Sequence, residues 1–425
     1  MRKDPNEADL ALAAFFEARR DTGASVMREA AWERFQQYGL PNRRVESWHW
    51  TDLRAALSKP APLAAPGAAI VADKTHDAVR LVLVDGVFRP DLSDTGRLPK
   101  DVRAQSLRDA LAQGDAATMA MLAPENLGVG DAAVALNAAL MSDGVILRVA
   151  PGVQIPRPVE IACFSSGGSS FTRSLAVVGQ GAKVTILATY GATPTPAQTN
   201  SVLLLSLGSD AVVEHVAPFG AASEDCVRVV SLLATLERGS TLNSTALIEG
   251  GGLLRRQVFA RLMGEHAKVS FSGASLLRGR CHADTTLVVE HAAPNGTSRE
   301  RFRYIVDEQA TGVFQGKAVV RPGAQKTDGS MQSKALLLSD MATMNNKPEL
   351  EIFADDVVCG HGATTGRLDR DQLFYLTARG IPKDEAEALL IEGFANEALD
   401  GIEDLGLRAT LSGRVSAWLA ARKGA

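Results

Sequence analysis

The chain has 425 residues, and its 45 Lys and Arg against 49 Asp and Glu give a formal charge of −4; a balance with no long block of one sign excludes a general nucleic-acid binder. At roughly 150 residues per domain the length allows about three structural units, and a chain of this size buries enough surface to fold without staples. Its four cysteines include no Cys-x-x-Cys pair and do not make a secreted disulfide framework, and with no signal peptide or membrane span to be read, the cytoplasm is the expected compartment.

In the first 58 residues, ALAAFFEARR and VMREAAWERFQQYG place apolar residues three and four apart, which predicts two helices broken around Thr22 to Ser25. A Pro- and Ala-rich linker follows, near residues 59–77. RLVLVDGVFRP alternates around Asp85-Gly86, a hairpin signal because both residues tolerate positive φ. SLRDALAQG and DAAVALNAALMSDG return to helical spacing and complete a mixed N-terminal region, residues 1–143.

Between residues 144 and 361 nearly every segment alternates, or runs apolar for four to eight residues, between small polar turns; about eleven strands and no helix are predicted. Turn-plus-strand units at Gly181, Gly208, Gly239, Gly264 and Thr311-Gly312 recur loosely, about every 25 to 30 residues, as in a β-solenoid whose coils stack on one another. Few aromatics (5%) and 38 glycines suit such a core. Residues 362–425 read as helices over Asp369 to Ala378, Pro382 to Leu399 (with Pro in its first turn) and Leu407 to Lys423. The second carries Ala386, Leu389, Leu390, Gly393 and Phe394 on one side, and capping an open solenoid end is favoured for it over docking a partner.

Two familiar spellings fail on context. Gly128-Val-Gly130-Asp-Ala-Ala133 has the letters of a dinucleotide fingerprint without a strand before it. Gly312-Val-Phe-Gln-Gly316-Lys317-Ala318 is one residue short of a phosphate loop and offers no hydroxyl for magnesium, so it reads as a strand turn.

Two constellations remain. Cys281-His282-Ala-Asp284, followed by His291, gathers thiol, imidazole and carboxylate groups, and on a strand His282 and Asp284 share a face. Hydrogen bonding to neighbouring coils, with Cys281 toward the core, is favoured for them over metal binding. The second, Asp355-Asp-Val-Val-Cys359-Gly-His361-Gly-Ala-Thr-Thr-Gly366, lies where strands give way to helices. Cys359 and His361 are two apart and point the same way in extended structure, and thiolate and imidazole are ligands for iron or zinc. Two ligands do not close a tetrahedral site, so a metal held here needs others from elsewhere, such as another subunit.

Lys347 to Asp369 with Leu373-Phe-Tyr-Leu-Thr-Ala-Arg-Gly-Ile381 resembles the C-terminal signature of the SufB/SufD family of iron-sulfur cluster assembly proteins, and Glu46-Ser-Trp-His-Trp-Thr-Asp-Leu53, His282-Ala-Asp284 with His291, and Phe314-Gln-Gly316-Lys317 resemble the family too. His361-Gly-Ala-Thr-Thr-Gly366 is similar to the SufD branch, although Gly360 stands where Ser is frequent. The resemblance implies a right-handed parallel β-helix between helical terminal regions. It implies a scaffold that is no enzyme, pairs with a SufB-like paralogue and docks a SufC-like ABC ATPase through its C-terminal helices. It also implies a transient iron-sulfur cluster at the paralogue interface, with His361, and Cys359 beside it, as metal ligands, and no tightly bound cofactor in the isolated chain. Self-pairing of the isolated chain is left open; neither nucleic acid nor membrane is an expected partner. The rival functions are a metal-dependent β-helix hydrolase or lyase built on His282, Asp284 and His291, and a purely structural subunit.

Overall fold

The computed structural model describes residues 6–65, 72, 74–122, 130–193 and 195–423. The N-terminal part holds helices α1 (Glu7–Arg19), α2 (Ser25–Tyr38) and α3 (Leu53–Ala56), the hairpin β1 (Val79–Val84) and β2 (Val87–Phe88), strand β3 (Val102–Ser106), and α4 (Leu107–Ala112), α5 (Ala116–Leu122) and α6 (Ala132–Leu140). Strands follow in unbroken succession: β4 (Val145–Val149), β5 (Val159–Phe164), β6 (Gly168–Val178), β7 (Lys183–Tyr190), β8 (Ala197–Leu207), β9 (Val212–Phe219), β10 (Val227–Leu236), β11 (Thr241–Ile248), β12 (Leu253–Leu262), β13 (Lys268–Leu277), β14 (His282–His291), β15 (Thr297–Val306), β16 (Thr311–Val320), β17 (Asp328–Leu337), β18 (Thr343–Ile352) and β19 (Val358–Gly366). Helices α7 (Arg370–Ala378), α8 (Lys383–Asn396) and α9 (Leu405–Lys423) come last.

Successive strands alternate between two sheets, ordered β19-β17-β15-β13-β11-β9-β7-β5-β1-β2 and β18-β16-β14-β12-β10-β8-β6-β4-β3. The chain thus winds up a parallel β-solenoid of about eight turns, flanked by helices. The pairings Thr241↔Lys268 and Thr297↔Asp328 give coils of 27 and 31 residues, close to the period of the glycine-marked turns. Inside, like stacks on like: Leu203, Leu232, Val258 and Leu287 sit one per coil in a single column, each 5% exposed or less. Burying such a side chain contributes about 1.5–3 kcal/mol.

The hairpin at Asp85-Gly86 forms with φ of 48° and 83°. Several corners turn on left-handed non-glycine residues, Asp210, His266, Asn295, Glu308 and Lys326, with φ from 54° to 60°. The turn expected at Thr311-Gly312 is accordingly displaced to Glu308, and both residues lie inside β16. Sixteen strands, β4 to β19, occupy the span where about eleven were expected. The sheets also reach beyond that span, to β1 and β3 on one side and Gly366 on the other.

The helices flank the solenoid instead of plugging it. Helices α1, α2 and α6 pack with Phe171, Val227 and Val229 on the outer face of the nine-stranded sheet. Helices α8 and α9 lay Ile391, Leu411 and Val415 against Leu187, Val216, Leu247 and Ile305 on the outer face of the ten-stranded sheet. The expected end cap is therefore corrected: Leu187, Val216, Leu247 and Ile305 give the outer sheet face an apolar row for the helices to cover, and the β18–β19 end stays open. On α8 the buried residues are Ala386, Ile391 and Ala395, while Leu389 is 47% exposed. Pro382 stands at the N-cap of α8, just ahead of its first turn. In the linker Leu63 bridges to Ser169; residues 66–71 and 73, like 128 and 129 of the fingerprint spelling, lie outside the described residues. Among the described residues no helix is long and apolar enough to cross a membrane.

Candidate functional site

Strand β19 is the last of the ten-stranded sheet and pairs only on one side, with β17. Its register sets Cys359 opposite Gly329 and His361 opposite Met331. Met331 belongs to the solenoid core, so Cys359 and His361 share the core-facing side of their strand. With no coil above, His361 is exposed and Cys359 half-buried. Both face into the open mouth of the solenoid.

Cys359, like Val357, packs against a small cluster of Val320, Ala324 and Ala354. Burial pushes its thiol up, with Asp328 and Glu300 adding to the effect. Below it the core is polar. Glu300, one coil under Met331, is 1% exposed, and burial pushes its carboxyl up to about 8 against the pull of the nearby Ser298 hydroxyl and Arg299. Gly360 and Gly362 alternate to the outer side of β19 with open space around them. No group of three or more His, Cys, Asp or Glu able to hold a metal ion occurs among the described residues. The mouth therefore offers a thiol and an imidazole.

The second constellation comes apart. His291 lies on the opposite face of β14 from His282 and Asp284 because it is an odd number of residues away. It is fully buried in the core, and burial lowers its imidazole to about 4. Asp284 is likewise fully buried, bonded to Arg255 Nη1 and to the Thr51 hydroxyl, each at 2.5 Å. His282 Nε2 lies 2.9 Å from Thr51 Oγ1, and Cys281 packs in the core. Asp284 thus bonds to the neighbouring coil, as favoured from the sequence, but its other partner comes from the N-terminus, which the local spacing could not reveal. The metal-dependent hydrolase or lyase loses its constellation.

The segment Glu46 to Thr51 runs as a strap over the outer face of the nine-stranded sheet. Glu46 pairs with Lys347 on β18. The Ser47 carbonyl accepts from Gln315 on β16 and Arg255 on β12. Thr51 reaches β14, and the fully buried Trp48 ring stacks under the Arg255 guanidinium at 3.9 Å. One short segment ties four coils, including the last of its sheet. These contacts explain why Trp48 and Thr51 sit in so compact a motif.

The description of SUF system FeS cluster assembly, SufBD core domain, matches residues 162–394, and that of the SufBD protein N-terminal region matches residues 15–161. The chain is 30% identical over 408 residues to an iron-sulfur cluster assembly SufBD family protein of Synechocystis sp., covering 91% of this chain and 88% of that protein. It is 28% identical over 391 residues to the iron-sulfur cluster assembly protein SufD of Escherichia coli, covering 89% of each. With SufD of Bacillus subtilis it shares 29% identity, over 65% of this chain and 64% of that protein. Solenoid, flanking helices and matched regions agree, and the chain belongs to the SufBD family of iron-sulfur cluster assembly proteins.

Proposed function

We propose that this chain is a non-catalytic scaffold subunit that presents half of a cluster-building site to a SufB-like paralogue. The observation that carries the reading is the open mouth: Cys359 and His361 lie on an edge strand with no neighbour above it. An unpaired sheet edge is a template for another strand, and both sheets end here, in β18 and β19. A paralogue with two such edges would extend both sheets and bring its own ligands to the mouth. The iron-sulfur cluster is cargo in this reading: a half-set of ligands binds iron weakly and releases it readily. Helix α7 has no buried residue, and Phe374 and Tyr375 are 73% and 55% exposed; this apolar surface suits the docking of a SufC-like ABC ATPase, whose nucleotide cycle would open and close the mouth.

The test is anaerobic co-purification with candidate partners, followed by iron and sulfide assays. We expect a SufB-like paralogue and an ABC ATPase in the eluate, and His361→Ala to lower bound iron about tenfold or more with the complex intact. Full iron content in an intact His361→Ala complex would remove His361 from the site. Elution of the chain alone would count against the assembly.

A further inference from the structure

The two ends of the solenoid are built differently. At one, β18 and β19 are full-length strands of ten and nine residues, each the last of its sheet. At the other, both sheets end in a strand that runs back against its neighbour: β2, of two residues, is antiparallel to β1, and β3, of five residues with an exposed Arg103, is antiparallel to β4. Very short strands and charged edges are poor templates for another chain. The free edge of β2 is also occupied. Arg89 N–H donates to the Val82 carbonyl, so by the alternation of an antiparallel ladder the Phe88 N–H and the Gly86 carbonyl point away from β1. The Asp143 carboxylate accepts from the first at 3.0 Å, and the Ser142 hydroxyl donates to the second at 2.6 Å, sharing its proton with the Phe171 carbonyl at 2.8 Å. Asp143 is fully buried, and its other oxygen accepts from the Ser106 hydroxyl at 2.9 Å, the Arg108 amide at 3.0 Å and the Gly144 amide at 2.8 Å. One carboxylate thus joins β2 in one sheet to the end of β3, the first turn of α4 and the approach to β4.

We infer that Ser142 and Asp143 terminate the solenoid, so that another solenoid can join this chain only at β18–β19. Their side chains stand where the backbone of a further strand would bond to β2, and they use up the donor and the acceptor that such a strand would need. A parallel coil with two free ends would stack head to tail, and a head-to-tail contact that does not close on itself grows into a fibre. With one end sealed, the chain has a single valence. A second copy or a SufB-like paralogue seated on β18–β19 completes a pair, and growth stops on this side. Cys359 and His361 then lie at one internal junction and nowhere else along the assembly. The inference rests on the cluster-assembly reading only for the use made of β18–β19; the seal belongs to the opposite end.

The test measures the molar mass of the purified full-length chain by light scattering over a concentration series, alone and with a SufB-like paralogue. We expect no wild-type species larger than two solenoids. Asp143→Asn keeps the shape but sets an NH2 group against donors that need an acceptor, and Ser142→Ala frees the Gly86 carbonyl. The double variant, folded by circular dichroism, should be about twofold heavier than wild type or more at matched concentration. A wild type that grows beyond two solenoids, or a folded double variant of wild-type mass, overturns the proposal. Should the double variant fail to fold, amide exchange in the wild type decides: the Phe88 N–H, on the outermost strand, should exchange as slowly as the amides of β5, two strands further in, and exchange at the rate of an open edge would sink the seal. If the paralogue does not bind and the wild type stays single, the scaffold reading falls, while a heavier double variant still upholds the seal.

Discussion

Arg255 and Asp284 face each other across adjacent coils, Nη1 donating to Oδ2 at 2.5 Å with both side chains fully buried. The pair sits under Trp48 and Thr51, so water cannot replace either partner. Removing one member of such a pair strands the other charge, at a cost of about 3–5 kcal/mol. Asp284→Ala should lower the unfolding free energy by that order in urea denaturation, and the Asp284→Ala, Arg255→Met double variant should recover part of the loss. Single and double variants of equal stability would show that the pair is not coupled.

Trp48 should matter as much from the other side of the same contact. It is 1% exposed, and replacing a buried aromatic by Ala costs about 3–5 kcal/mol. Because the strap spans β12 to β18, Trp48→Ala should also raise amide hydrogen exchange in β16 and β18, over 250 residues away in sequence. Exchange changed only around residues 46–53 would show that the strap does not hold the coils.

Glu300 gives a pH dependence of defined sign. Its carboxyl titrates near 8 in the fold and near 4.5 in the unfolded chain, so the unfolded state loses its proton first as pH rises. The stability of the neutral form is full below about 4.5 and drains away up to about 8. Glu300→Gln should therefore gain stability relative to wild type across that window in melts from pH 5 to 8. A constant difference would place the carboxyl in its ordinary range.

His215 and His291 act in the opposite direction. Burial lowers them to about 3 and about 4 from 6.5, so the unfolded chain takes up protons that the fold refuses. Their contribution is complete above about 6.5 and is lost as pH falls toward 4. His291→Leu should flatten part of the acid-side loss measured by thermal denaturation between pH 7 and 4. An unchanged slope would mean that His291 protonates freely in the fold.

Glycines should divide by position. A Cβ on Gly144 would fall 1.9 Å from the Arg173 carbonyl oxygen, whereas Gly360 and Gly362 have open space around them. Gly144→Ala should destabilise by at least about 1–3 kcal/mol. Gly360→Ala should melt like wild type. Equal melting temperatures for the two would contradict the close approach at Gly144.

The solenoid was legible because aliphatic strands such as β8, β10 and β16 alternate or run apolar between turns. Strands β5, β6, β11 and β12 escaped; the last three include Ser, Thr, Asn and Arg that the fold buries: Arg173, Ser244, Arg255 and Arg256 are all within 3% of full burial. A polar residue reads as solvent-facing until its partner is known, and those partners lie a coil or a domain away. Strand β19 escaped for a different reason, since its Gly-rich run takes its conformation from pairing with β17. At the site, Cys359 and His361 announced themselves by spacing. Gly329 and Met331 are visible only once the coil length is known, because they meet Cys359 and His361 through register alone.

The strap sets an order on how the molecule is made. Glu46 leaves the ribosome 301 residues before its partner Lys347, a delay of roughly 15 to 60 seconds at 5–20 residues per second. Trp48 has no guanidinium to stack on until Arg255 is made, and Thr51 no carboxylate to bind until Asp284, 233 residues on. A segment synthesised early is thus among the last to find its place, and the nascent chain carries an aromatic, unsatisfied stretch for which a chaperone would have ready use.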